Sequence, residues 1–66
     1  MNPVLVSWSN DERAVCVRVG GQVRWVEVSY RFLPSSAFGS ADDFAQPVAT
    51  VDGVAYRVGA CELVRL

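Results

Sequence analysis

The sequence predicts an all-β domain of about six short antiparallel strands in two meanders. These form a small, partly open barrel or a two-sheet sandwich, with at most one short helical turn. Three observations predict it. Thirteen valines and no isoleucine, many in alternation with other residues, favour strands over helices. Two pairs, Gly20-Gly21 and Asp52-Gly53, are two-residue hairpin loops, since glycine takes positive φ there at little steric cost. Finally, 66 residues at 52% hydrophobic and 20% charged make one domain with a single core. That domain is divided into a meander over 3–32, a connecting loop over 33–46 and a meander over 47–66.

The first strand, within 3–8, is expected to place Val4, Val6 and Trp8 on one face. Ser9-Asn10-Asp11-Glu12 is a polar turn into the second strand, 13–19. With Gly20-Gly21 as the loop, Val19 faces Gln22, Val17 faces Arg24, Val15 faces Val26 and Arg13 faces Val28. This register collects Val15, Val17, Val19, Val26 and Val28 on one face, extended by Tyr30 and Phe32 in the strand 22–32. The other face receives Ala14, Cys16, Arg18, Val23, Trp25, Glu27 and Ser29. A slip of one residue would set Glu27 against Val15 and mix the apolar face, so the two-residue loop is preferred.

In the connecting loop, Ser40 is placed to cap a single helical turn, with Asp42 and Asp43 near its positive end and Pro47 limiting it. The strands 47–51 and 54–58 flank Asp52-Gly53, so Val51 faces Val54, Ala49 faces Tyr56 and Pro47 faces Val58. A type II′ turn at Gly59-Ala60 leads into 61–66, setting Tyr56 opposite Leu63 and Arg57 opposite Glu62 as an ion pair. Tyr30, Phe32 and Tyr56 are expected in the core. Trp25, Phe38 and Phe44 are expected to fold over an open end of the barrel.

Function is constrained mainly by exclusion. The chain has no His and no Lys, so imidazole ligands, a near-neutral general base and a Schiff-base amine are all missing. Gly20-Gly21 lies between strands and no phosphate-binding glycine loop occurs. The acid pairs Asp11-Glu12 and Asp42-Asp43 lack calcium-loop spacing and read as solvated turns or caps. Cys16 and Cys61 sit among apolar residues and read as buried thiols rather than a disulfide, a nucleophile or a metal site. No enzyme, cofactor or metal is expected. The N-terminal apolar run is short and lacks basic residues, and no stretch has membrane-span length, so a cytoplasmic chain is expected.

Six arginines against seven acids give a net charge of −1, which disfavours nucleic acid as a partner. The reading that remains is a non-catalytic protein-binding module, with a homodimer among its forms. Chains of this size and composition suit a phage or mobile-element product that inhibits a host complex, such as a defence (anti-CRISPR) or transcription machine, by occupying a surface. Trp25, Phe38 and Phe44, with Asp42 and Asp43, are the candidate contact residues, because large aromatics carry most binding energy. The alternative is a barrel that binds single-stranded nucleic acid through Arg18, Arg24 and Trp25 near the Gly20-Gly21 tip. A further alternative is a structural subunit of a phage assembly joined through strand edges.

Overall fold

The computed structural model describes residues 2–32 and 45–66. Six strands form: β1 (Val4–Trp8), β2 (Ala14–Val19), β3 (Gln22–Arg31), β4 (Gln46–Val51), β5 (Val54–Val58) and β6 (Leu63–Arg65). They lie in one antiparallel sheet in the order β1-β2-β3-β4-β5-β6, curled into a half-barrel with no helix in the described part. The two expected meanders are joined because β3, ten residues long, serves both. Its first half pairs with β2, and its last four residues, Val28 to Arg31, pair with β4.

Both glycine-bearing turns set the expected registers. Val15 lies opposite Val26, Val17 opposite Arg24 and Val19 opposite Gln22. The Val28 amide donates to the Arg13 carbonyl at 2.8 Å, extending that ladder. Across the second turn, Val51 lies opposite Val54 and Ala49 opposite Tyr56. Asp52 (φ 51°) and Gly53 (φ 82°) are both left-handed, the pattern of a type I′ turn, whereas only Gly20 (φ 61°) is so in the first pair, the type II′ pattern. The two second positions should therefore respond differently to a side chain. Gly53→Val should cost about 2–3 kcal/mol, because a β-branched residue is strained at that φ. Gly21→Ala should be neutral or stabilising by about 0.5 kcal/mol, since a Cβ there meets nothing within 4 Å. Urea titration of the two variants checks this.

The core lines the concave side: Val15, Val17, Val28, Ala49, Val51, Tyr56 and Val58 are buried, with Leu5, Trp8, Val19, Val26, Val54 and Leu63 packed against them. All of the β2–β5 members have the inward parity fixed by the two turns. Each fully buried valine contributes about 1.5–2 kcal/mol of transfer free energy, which must offset backbone ordering in a very small domain.

Four expectations are corrected. In β1, Val6 is an extra residue: Leu5 pairs with Val17 but Ser7 with Cys16. This bulge sends Leu5 and Trp8 inward and leaves Val4 and Val6 exposed, so Val4, Val6 and Trp8 do not share a face. The β5–β6 connection is longer than two residues, because Val58 pairs with Leu63 and the Gly59 amide donates to the Glu62 carbonyl at 2.8 Å. Arg57 therefore faces Val64 and Tyr56 faces Arg65, not Glu62 and Leu63. Tyr30 and Phe32 are exposed, at 50% and 71%, because they extend past the last β2–β3 pairs: Tyr30 is flanked only by β4 among the described strands, and Phe32 lies beyond the end of β3. Cys16 is buried but Cys61 lies exposed in the β5–β6 loop, and both are free thiols.

Candidate functional site

The outer, convex face of β1–β3 presents several exposed apolar side chains, Trp25 the largest of them. Because directly paired residues share a face, Val4, Arg18 and Val23 form one row across the three strands. Ser7, Cys16 and Trp25 form the next, and Ala14 with Glu27 the third. Trp25 is 60% and Val23 61% exposed, with Val4 and the bulged Val6 about half exposed beside them. Trp25 thus does not fold over an open end of the barrel. It stands on the outer face because Val26, its neighbour of opposite parity, points into the core. Clustered apolar side chains left in water on one face mark an interaction surface more often than scattered ones do.

Arg24 is separated from Arg18 and Trp25. It pairs with Val17, so it has inward parity, and its guanidinium meets the Asp52 carboxylate at 2.9 Å. This ion pair joins the β2–β3 hairpin to the β4–β5 turn across the mouth. It is substantially solvent-exposed and contributes little to stability. The arginine pair expected to hold phosphates on one face is not assembled. Phe38, Phe44, Asp42 and Asp43 lie outside the described residues.

At the opposite end of the half-barrel, the indole Nε1 of Trp8 donates to the Gly59 carbonyl at 3.1 Å, linking β1 to the β5–β6 loop across 51 positions of sequence. An open depression of about 790 Å³ lies here, lined by residues including Trp8, Tyr30, Pro47 and Val58 with Glu12 at its rim. The Tyr30 hydroxyl donates to the Glu12 carbonyl at 3.0 Å. Glu12 has a φ of 58°, a left-handed position stabilised by the turn around it. There the Ser9 hydroxyl donates to the Asp11 carboxylate at 2.6 Å, and the Arg13 and Ala14 amides donate back to the Ser9 oxygen. The Ser9 hydroxyl, then the Arg13 amide, hold the Asp11 carboxyl below its ordinary range. Its stabilising effect is therefore present above the usual aspartate range and is lost as pH falls through the lowered value.

Among the described residues, no three His, Cys, Asp or Glu side chains are grouped to hold a metal ion. None of the described elements is a helix long and apolar enough to cross a membrane. Comparison with family models, with curated proteins and with solved structures finds no match to this chain.

The outer-face site was half legible in sequence. Alternation across Gly20-Gly21 put Val23 and Trp25 together on the second face, but Val4 and Val6 joined them only through a bulge that no composition signal marks.

Proposed function

We propose that the chain is a non-catalytic protein-binding module whose docking face is the outer surface of β1–β3, with Trp25 as its anchor. The observation that carries this reading is the exposure of Trp25 and Val23, 60% and 61%, on the face opposite the core and beside Val4 and Val6. An indole held on a rigid strand presents a large contact area with only two rotatable bonds, so little entropy is lost when a partner covers it. Such a module acts by occupying a surface of its partner rather than by transforming it.

The test uses the full chain tethered through Cys61, whose exposed thiol lies in the β5–β6 loop, which meets β1 through the inward-facing Trp8 and not through the outer face, with Cys16 buried. Protein retained from a bacterial lysate by the native chain should be lost from a Trp25→Ser, Val23→Ser variant with an unchanged circular dichroism spectrum. Retention of the same protein by the variant would overturn the reading. So would capture that weakens log-linearly with salt, since that is the behaviour of phosphate contacts.

A further inference from the structure

We infer that the partner this face is built to take is a second copy of the same chain, docked face to face so that Arg18 of each copy meets Glu27 of the other. The inference rests on the docking face proposed above and adds the identity of its occupant. What points to it is the placement of two charges around Trp25. Arg18 lies two residues beyond Cys16 toward the Gly20-Gly21 turn, and Glu27 lies two residues beyond Trp25 in the opposite direction. Both are exposed, and among the described residues neither side chain makes an ion pair or hydrogen bond. They sit two rows and one strand apart, roughly 14 Å at the rise and spacing of a sheet, too far to pair with each other.

A two-fold axis in the plane of the face, passing between Cys16 and Trp25, exchanges those two ends. Each Arg18 is then brought onto the partner's Glu27, and the two indoles meet at the centre. One charge of each sign on either side of an apolar middle is self-complementary, which is what an isologous interface requires. The geometry carries a second mark. The offset of one strand over that separation tilts the axis so that the strands of the two copies cross at about −40°, near the roughly −30° of sheets packed face to face. Exposed Val4 and Val23 flank Arg18 within its row and are covered by the same contact.

Charge exchange tests this on the full chain, read as molar mass by light scattering across a concentration series. The native chain should run from monomer to dimer. Arg18→Glu and Glu27→Arg should each weaken dimerisation at least about tenfold, because each sets like charges against one another at both contacts. An equimolar mixture of the two variants should recover native dimerisation, since each contact then pairs opposite charges again. The double variant Arg18→Glu, Glu27→Arg should recover it as well.

A native chain that stays monomeric throughout overturns the second-copy inference while leaving protein capture through Trp25 to stand or fall on its own test. A dimer that neither single variant weakens, or a mixture that fails to recover, overturns the pairing. If capture and self-association are both indifferent to Trp25→Ser, the docking face itself is refuted.

Discussion

Trp8→Ala should cost about 3 kcal/mol and lower the melting temperature by more than about 10 °C in a domain of this size. Trp8 is half-buried at the end of β1, packs on the core cluster, and carries the hydrogen bond from its indole to the Gly59 carbonyl. That bond reaches from the first strand to the loop before the last one, so it holds the half-barrel curled where no strand pairing does. Truncation removes both the aromatic packing and the bond. Trp8→Phe separates the two: most of the packing survives, and the loss should be about 1 kcal/mol. Thermal melts of both variants, followed by circular dichroism, decide the matter. If Trp8→Ala melted within a few degrees of the native chain, the curl would not depend on this link.

Val17→Ala should cost about 2–3 kcal/mol. Val17 has no exposed surface, lies on β2 near the middle of the core, and is opposed by Leu5 on one side and Arg24 on the other. Strand ladders around it leave little freedom to collapse onto the space of the lost methyl groups. A single core in a domain this small supplies roughly 3–5 kcal/mol of net stability, so the variant should be substantially unfolded at modest urea. Val23→Ala, one strand away but on the opposite face and 61% exposed, should change stability by less than about 0.5 kcal/mol. Equal losses at the two positions would contradict the assignment of Val17 to the packed face and of Val23 to water.

The parts of this fold that sequence reasoning reached are those where a glycine-bearing turn and an alternating strand constrain one another. Across Gly20-Gly21, a one-residue error would have put Glu27 on the core face, so the register was determined. The β5–β6 hairpin shows the limit of the same logic. Its pairing is two residues away from the expected one, and a slip of two leaves every side chain on its original face. Leu63 therefore packs on the core in either register, and alternation carries no information that separates them. The loop closes instead through Gly59, where a Cβ would come within 3.3 Å of the Glu62 carbonyl oxygen.

Other differences come from cover rather than parity. Tyr30 has the inward parity of Val26 and Val28, but β2 ends before reaching it, so its ring is exposed and its hydroxyl is held by the Glu12 carbonyl. The bulge at Val6 is the harder case. Val-Leu-Val-Ser-Trp alternates acceptably in an unbroken strand, and only pairing with β2 reveals the extra residue. Of the candidate contact residues, Trp25 lies on the face away from the valine core, as its alternation with Val26 dictates. Arg24 has the parity of that core in the same register, which separates it from Arg18.

The most direct test of the division between faces uses the two tryptophans, one on each side of the sheet. Subtracting the emission of a Trp25→Phe variant from that of the native chain isolates the contribution of Trp25 while leaving Trp8 and its hydrogen bond in place. In dilute solution that contribution should lie at the long wavelengths of a water-exposed indole and be readily quenched by acrylamide. A short-wavelength, quencher-resistant contribution at every dilution would place Trp25 inside the sheet, reverse the register of the first hairpin and remove the docking face with it.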